Sequence, residues 1–267
     1  MLRFICPICR ADLQAQAPVW RCGGGHCFDV AREGYVNLLP VQHKKSLSPG
    51  DTAESVQARR DFLSAGHYQP LRDAVTALLR PLAATSWLDL GCGEGYYTSA
   101  LPAVAGAVVG LDIAKPAVRL AAKRHKDITW LVASGAQLPQ ADASLDGVSS
   151  LFSPLPVAEM ARVLRPGGHA LVVTPAPEHL WTVREALFGE VRAHEPDKFL
   201  AGFEADFTLQ RREVVRCPLR LEQRALRDLL AMTPYAWKAR AERRAALEAH
   251  DRFVTEAAFS LMLFRRR

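Results

Sequence analysis

From residue 87 onwards, short apolar runs alternate along the chain with segments that have helical periodicity. The apolar runs predict buried strands, and strands that alternate with helices form a parallel, doubly wound sheet. Two alternating segments near the end of the chain predict long antiparallel strands that close this sheet. The predicted fold class is therefore α/β. Its strands span residues 87–90, 107–112, 128–133, 144–152, 169–174, 207–221 and 258–264.

Helical periodicity also predicts two helices ahead of the sheet and several within it. The second of the leading helices runs to about Leu79 and is stopped by Pro81. A further helix ends in the Pro166-Gly167-Gly168 turn. The other predicted helices span residues 52–63, 98–103, 117–126, 223–230 and 237–248.

The first predicted strand ends in a glycine-rich turn, L-D-L-G-C-G-E-G. Gly91, Gly93 and Gly95 leave out side chains where the backbone must bend and a ligand can approach it. Asp112 ends the next strand about twenty residues later, where α/β nucleotide sites place a carboxylate on ribose hydroxyls. Taken alone, the turn is also typical of an ordinary strand-to-helix connection, and Asp112 also suits a helix N-cap. Together they favour a nucleotide-like cofactor.

The chain is basic, with 34 Lys and Arg against 28 Asp and Glu, and a pI near 9.1. Arginine outnumbers lysine, which suits forked recognition of phosphate groups. Residues 42–51 and 237–248 are cationic, and Tyr235 and Trp237 offer rings on which bases stack. The alternative for residues 42–51 is a solvated linker. The alternative for Tyr235 and Trp237 is packing in the core beneath a solvated helix. The charge therefore allows an RNA partner without requiring one.

No apolar run approaches the roughly 20 residues of a membrane helix, and no signal-peptide stretch opens the chain. We therefore expect a soluble, cytoplasmic protein that does not bind membranes. In a reducing compartment its six cysteines are metal ligands or free thiols rather than disulfides.

Two short knuckles near the amino terminus have zinc-ligand spacing. Cys6 and Cys9 form a C-x-x-C pair, and Cys22 is followed four positions later by His26. Three thiolates and one imidazole satisfy tetrahedral zinc, and with four protein ligands the role is structural. Cys27 is an alternative fourth ligand, although the spacing favours His26. An alternative for the whole cluster is a redox-active C-x-x-C pair, with the other residues playing no part.

Four motifs, in order, carry a family resemblance. They are L-D-L-G-C-G-E-G at 88–95, V-G-L-D at 109–112, L-P-x-x-x-x-S-L-D at 138–146 and V-L-R-P-G-G at 163–168. The series resembles the class I S-adenosylmethionine-dependent methyltransferases, which implies a Rossmann-like doubly wound sheet and S-adenosyl-L-methionine as cofactor. Ser134 departs from the pattern, because many family members carry an acid there that contacts the adenine amine.

Further segments narrow the resemblance to the RlmA family, bacterial 23S rRNA (guanine-N1)-methyltransferases. These are the zinc knuckles and the sequences E-G-Y-V-N-L-L-P at 33–40, A-G-H-Y-Q-P-L at 65–71 and M-T-P-Y-A-W at 232–237. The resemblance covers essentially the whole chain. It implies a zinc-binding RNA-recognition module at 1–45, a helical linker at 46–80 and a methyltransferase domain at 81–267.

The resemblance also assigns residues to two sites. It supports zinc ligation by Cys6, Cys9, Cys22 and His26. It places Tyr68, Gly93, Glu94 and His179 against the cofactor, although Tyr68 also suits a packing aromatic and His179 a helix start. With the glycine turn included, the expected cofactor-binding residues are Tyr68, Asp89, Gly91, Gly93, Glu94, Gly95, Asp112, Ser134 and His179.

The function that the resemblance implies is methyl transfer to N1 of a specific guanine in a 23S rRNA hairpin. Guanine N1 must lose its proton, so a carboxylate or histidine that accepts it would help, and Asp51, Glu54 and His179 are weak candidates. The base must also be unstacked from the RNA. The rival hypotheses are a methyltransferase for a small molecule and a non-catalytic RNA-binding protein that keeps the fold. The oligomeric state stays open, with a homodimer as one option.

Overall fold

The computed structural model of the protein describes residues 2–40 and 49–267. Twelve strands lie in these two ranges: β1 Phe4–Ile5, β2 Asp12–Gln14, β3 Val19–Cys22, β4 Cys27–Asp29, β5 Tyr35–Asn37, β6 Ala84–Leu90, β7 Ala105–Asp112, β8 Thr129–Val132, β9 Leu145–Leu151, β10 Leu164–Pro175, β11 Phe207–Glu222 and β12 Arg252–Arg266. The helices are α1 Ala53–Ser64, α2 Gln69–Leu79, α3 Lys115–Arg124, α4 Val157–Val163, α5 Trp181–Phe188, α6 Leu200–Phe203, α7 Gln223–Ala231, α8 Tyr235–Lys238 and α9 Ala241–Glu248.

Eight of these strands form one mixed sheet in the order β11-β12-β10-β9-β6-β7-β8-β5. The strands from β10 to β5 run parallel to one another, while β12 is antiparallel to both β10 and β11. The doubly wound sheet and its antiparallel closing strands confirm the predicted α/β class. Because the parallel strands share a direction, β6, β7, β8 and β9 all end at the same edge of the sheet.

The strand β5 was not predicted. Tyr35–Asn37 adds a parallel edge strand beside β8, with Val36 opposite Leu131. A strand of three residues has too weak an alternation to be read from sequence, and its pairing partner lies far along the chain. The polypeptide that follows the zinc knuckles therefore enters the large sheet.

Two apolar layers cover the large sheet. One contains residues from α1, α2, α3, α5 and α7, with Phe62 and Leu71 fully buried in it. The other combines α4 and α6 with apolar side chains from the first three strands, including Phe4, Leu13 and Trp20. The amino-terminal module thus occupies a sheet face that a helix would otherwise cover.

The strands β1–β4 form a small antiparallel sheet of their own. It is attached to the loop between β8 and β9, where the Ile5 amide donates to the Pro139 carbonyl at 2.9 Å and the Ala141 amide donates to the Arg3 carbonyl at 3.0 Å. Phe4 packs on Trp20 with 4.8 Å between ring centroids. Backbone pairing and apolar contact together fix the module on the core.

Several predicted segments differ from the structure. The helix predicted to end in the Pro166-Gly167-Gly168 turn ends at Val163, and that turn is part of β10. The strands predicted to begin at residues 87 and 169 begin at Ala84 and Leu164.

The segment after the glycine turn is a 3-10 helix, Thr98–Ala103, which contains Pro102. The predicted helix at 237–248 is instead the two short helices α8 and α9, because Ala239 and Arg240 adopt extended backbone angles. The predicted strand at 258–264 begins earlier, at Arg252. Of the basic stretch at 42–51, residues 42–48 lie outside the described residues, and so does the predicted boundary at 45 and 46.

Among the helices of the described ranges, none has the length and apolar character needed to cross a membrane.

Candidate active site and metal centre

Four side chains of the amino-terminal module converge on one point. Ligand atoms of Cys6, Cys9, Cys22 and His26 all lie within 4.8 Å of one another. The His26 Nδ1 atom is 3.6 Å from the Cys6 sulfur and 3.4 Å from the Cys22 sulfur, and the Cys9 and Cys22 sulfurs are 3.6 Å apart. A zinc ion with bonds of about 2.0–2.3 Å to such ligands gives tetrahedral edges of about 3.5–3.8 Å. The donor set and its spacing therefore fit zinc.

Local chemistry distinguishes the fourth ligand. The Cys27 thiol is exposed and donates to the Gly25 carbonyl at 3.6 Å, outside the cluster. Burial opposes ionisation of the Cys22 thiol, but hydrogen bonds with His26, Cys9 and the Gly24 backbone outweigh it and lower the pKa of Cys22 to about 6. Thiolate is the form that binds metal. The structure thus brings His26, not Cys27, to the other three residues.

The glycine turn lies at the carboxyl end of the central strand β6. Gly91 has a φ of +74°, and a Cβ atom there would lie 2.4 Å from the Cβ atom of Ser153, so only glycine fits. Gly93 has a φ of +55°, and the Arg59 guanidinium, at 3.8 Å, is the one described group near its missing Cβ. The backbone at Gly93 is therefore open to a ligand, as a cofactor cradle requires.

Asp112 ends β7 beside this turn and holds it. One carboxylate oxygen accepts from the Gly93 amide at 2.9 Å, and the other accepts from the Ala114 amide at 2.7 Å. Burial raises the pKa of Asp112, and the two backbone donors oppose that rise. The N-cap of α3 is Ala114, which has no side-chain cap, so the N-cap alternative for Asp112 is wrong. Its carboxylate instead binds the amide of Gly93 in the turn and the amide of Ala114.

Asp89 lies in β6, two residues before the first glycine of the turn. It is buried, and its oxygens accept from the Thr98 hydroxyl at 2.6 Å and the Ser149 hydroxyl at 2.7 Å. Trp87 donates to the same Ser149 oxygen at 3.0 Å. Burial raises the pKa of Asp89 to about 6. Since its oxygens are occupied by protein donors, Asp89 acts on the site by fixing the strand end.

Glu94 and Gly95 complete the turn. Glu94 is buried; burial raises the pKa of its carboxyl, and the Arg59 charge opposes the rise. A Cβ atom at Gly95 would lie 2.8 Å from the Trp130 ring, so this glycine lets the turn pack on the sheet. Ser134 lies in the neighbouring loop after β8, where its hydroxyl accepts from the Ala136 amide at 3.2 Å.

Tyr68 and His179 both contact the ring of Phe259. Both are buried, and their ring centroids lie 4.9 and 4.8 Å from that of Phe259. The His179 Nδ1 atom is 2.9 Å from the Ala258 carbonyl, to which it donates. Burial lowers the pKa of His179 to about 3, so its ring is neutral at physiological pH. Burial likewise raises the pKa of Tyr68.

The other two candidate bases are placed differently. Asp51 forms an ion pair with Arg59, whose guanidinium also donates to the Met232 carbonyl at 3.4 Å. Glu54 is exposed in the first turn of α1. Arg59 thus connects the segment after residue 48, the glycine turn and the α7–α8 loop. Sequence reasoning assigned Arg59 only to a helix, because none of these contacts is local.

The two aromatic residues predicted to stack on bases differ in their exposure to solvent. Tyr235 is half-buried, with its hydroxyl 3.2 Å from the His194 Nε2 atom and its ring against Phe188. Trp237 is 67% exposed and lies next to Lys238. Of the pair, Trp237 is the one accessible to a partner.

Comparison with known proteins identifies the family. The RlmA N-terminal family model matches residues 4–47, and a methyltransferase-domain model matches residues 88–172. A 23S rRNA (guanine(748)-N(1))-methyltransferase from Streptomyces fradiae is 36% identical over 246 residues, which cover 89% of this chain and 87% of the relative. The chain belongs to the RlmA family. The zinc ribbon and the S-adenosylmethionine-dependent methyltransferase core are therefore those of an RlmA-type enzyme.

Other relatives agree with this assignment. A Micromonospora griseorubida protein described as a putative 23S rRNA (guanine-N(1)-)-methyltransferase is 38% identical, over 87% of the RlmA-family chain and 86% of its own. Among solved structures, the Bacillus subtilis YcgJ protein superposes with a TM-score of 0.53 at 19% identity, covering 73% of this chain and 97% of that one. The structural likeness concerns the fold alone, and that fold is the Rossmann-like class I methyltransferase fold.

A first prediction concerns pH and His179. Its folded pKa, about 3, lies below the unfolded value of about 6.5, so stability is complete above pH 6.5 and declines as the pH falls towards 3. Between pH 8 and 5 the unfolded state gains a proton that the folded state excludes, which costs about 2 kcal/mol. Urea unfolding at both pH values, at fixed zinc concentration, should show that His179→Gln loses less stability than wild type by this amount. Equal losses in the two proteins would contradict the prediction.

Proposed function

We propose that this protein transfers a methyl group from S-adenosylmethionine to N1 of a guanine in 23S rRNA. The observation that carries the proposal is that the Streptomyces fradiae rRNA methyltransferase matches this chain along 89% of its length, across both the zinc ribbon and the catalytic core. A demethylmenaquinone methyltransferase from Tropheryma whipplei, by contrast, matches over 42% of the chain. The small-molecule hypothesis thus has support only from the shared core.

We assign two ligand sites to named residues. Cys6, Cys9, Cys22 and His26 hold a structural zinc ion. The open backbone at Gly93 and the Asp112 carboxylate form the cofactor cradle, which Gly91, Gly95 and Asp89 shape. The remaining residues of the cradle are Tyr68, Glu94, Ser134 and His179.

When bound, S-adenosylmethionine supplies an electrophilic methyl group. The chain's own part is to orient the guanine, exclude water and accept the N1 proton. His179 donates through Nδ1, so Nε2 is its acceptor, but a pKa of about 3 makes it a weak base. Asp51 is held in an ion pair with Arg59, and Glu54 is exposed. We therefore assign His179 to hydrogen bonding within the cradle and give the role of general base to none of the three.

The partner and its binding surface follow from charge. We propose that 23S rRNA contacts the zinc ribbon and the exposed, basic segment that contains Trp237, Lys238 and Arg240. The proposed units are a zinc-binding module at 1–45, a linker at 46–80 and a methyltransferase domain at 81–267. A cytoplasmic location and a homodimer also stay predictions; sedimentation of the purified protein tests the latter.

Primer extension tests the function directly. Methylation at N1 blocks the pairing edge of guanine, so reverse transcriptase should stop at one position of 23S rRNA from cells that carry the gene. The stop should disappear when the gene is deleted and return with a wild-type copy. A copy with Asp112→Ala should not restore it. An identical pattern of stops in the deletion and wild-type strains would overturn the proposal.

A further inference from the structure

Phe152 combines an exposed aromatic ring with an unusual backbone conformation. It directly follows β9, its φ is +59°, and it is 45% exposed. Bulky residues rarely adopt this left-handed conformation, and such outliers cluster at functional sites. The loop is held in place, because the Phe152 amide donates to the Val173 carbonyl at 3.0 Å and the Ser153 hydroxyl donates to the Leu90 carbonyl at 2.9 Å.

The position of this loop relates Phe152 to the cofactor cradle. Ser153 lies where a Cβ atom at Gly91 would be, so the loop packs against the glycine turn. In the sheet, β9 and β7 flank β6 on opposite sides. Phe152 and Asp112 therefore stand on opposite sides of the turn. A cofactor bound at Asp112 leaves the Phe152 side of the cradle for the second reactant.

The surroundings of the ring are aromatic rather than charged. Its centroid is 5.3 Å from that of Phe259 and 6.4 Å from that of Tyr97. Phe259 in turn contacts Tyr68 and His179, which belong to the cradle. One side of the Phe152 ring is thus supported by the core, while nearly half of the residue stays open to solvent.

An unstacked base needs such a surface. Once a guanine leaves its RNA stack it loses contact with its neighbours, and an aromatic ring replaces that contact. We propose that Phe152 is the platform on which the target guanine stacks during methyl transfer. This inference rests on the proposed function and deepens it, since it assigns the acceptor subsite to the loop after β9.

The test compares four substitutions at Phe152 with one at a partly exposed apolar residue on the edge strand of the sheet. Phe152→Ala and Phe152→Leu should lower kcat/KM for 23S rRNA by about 5- to 150-fold, the range that base stacking supplies. Phe152→Tyr should keep the rate within about threefold of wild type. Leu209→Ala, which removes another partly exposed apolar side chain, on the edge strand β11, should do the same. Calorimetric titration should give every variant a wild-type Kd for S-adenosylmethionine.

Phe152→Gly separates stacking from folding. Because glycine accepts a positive φ without strain, this variant should melt no lower than Phe152→Ala and yet be as slow on rRNA. A Phe152→Ala variant as fast as wild type would overturn the platform, and so would a parallel loss of S-adenosylmethionine affinity, which would make the ring a cofactor contact. If wild type itself incorporates no methyl into rRNA, the proposed function fails as well; if wild type is active and Phe152→Ala equally so, only the platform fails.

Discussion

Replacing Cys9 with serine is expected to yield a protein that binds no zinc and whose strands β1–β4 no longer fold. The module has few buried side chains, so the metal supplies much of its stability, on the order of 10 kcal/mol in isolated zinc-finger peptides. Elemental analysis should fall from about one zinc ion per chain to about none. Limited proteolysis should then cleave within residues 4–29, whereas the same residues should resist the protease in wild type.

Cys27→Ser is the matched control for this experiment. Cys27 lies in the same knuckle and is also a thiol, but its sulfur points to the Gly25 carbonyl instead of the cluster. This variant should retain about one zinc ion per chain and wild-type resistance to proteolysis. Loss of zinc from Cys27→Ser, or its retention in Cys9→Ser, would contradict the ligand set that we propose.

The sequence already favours His26 over Cys27, and the structure supplies the physical reason. Both residues lie within one turn of Cys22, so spacing alone allows either. The lack of a side chain at Gly24 allows the two knuckles to approach each other, because a Cβ atom there would lie 3.1 Å from the Cys9 sulfur. The bare backbone lets the two knuckles close until His26 faces the three thiols, while Cys27 begins β4 and faces away.

The core of the fold could be predicted from sequence because the patterns that specify it are local. Buried strands and the glycine turn are local patterns, and each one depends on residues near it in sequence. The contributions of Arg59 and Phe152 could not be predicted. Arg59 acts through partners that include Met232, and Phe152 matters because its φ is positive, which no neighbouring residue type signals. Long-range contacts and strained backbone are the features that sequence patterns carry least well.

Two aspartates show how one residue type serves opposite ends of this sheet. Asp112, at the carboxyl end of β7, accepts from the amides of Gly93 and Ala114. Asp146, near the amino end of β9, accepts from the Thr85 amide at 2.6 Å and the Ser86 amide at 3.2 Å. Burial raises the pKa of Asp146, but the donors outweigh it and the net shift is downward. Each carboxylate binds two backbone amides, yet only Asp112 does so at the proposed cofactor cradle.

Asp112→Ala should therefore weaken S-adenosylmethionine binding by at least about 100-fold, which corresponds to about 2.7 kcal/mol. The substitution removes two charge-assisted hydrogen bonds that fix the turn, together with the carboxylate proposed to receive the ribose hydroxyls. The S-adenosylmethionine affinity of Asp112→Asn should fall between those of Asp112→Ala and wild type. Its amide oxygen can accept from one backbone amide, while its NH₂ group opposes the other donor. Calorimetric titration of each protein with the cofactor measures the effect.

Asp146→Ala separates loss of the cradle from loss of stability. It removes a buried carboxylate with backbone donors at the far end of the sheet, so it should destabilise the fold by about 2–3 kcal/mol in urea. Its affinity for S-adenosylmethionine should nevertheless stay within about threefold of wild type, because no residue of the cradle touches Asp146. If both variants lost affinity equally, general destabilisation would explain the effect, and Asp112 would have no special part in holding the cofactor.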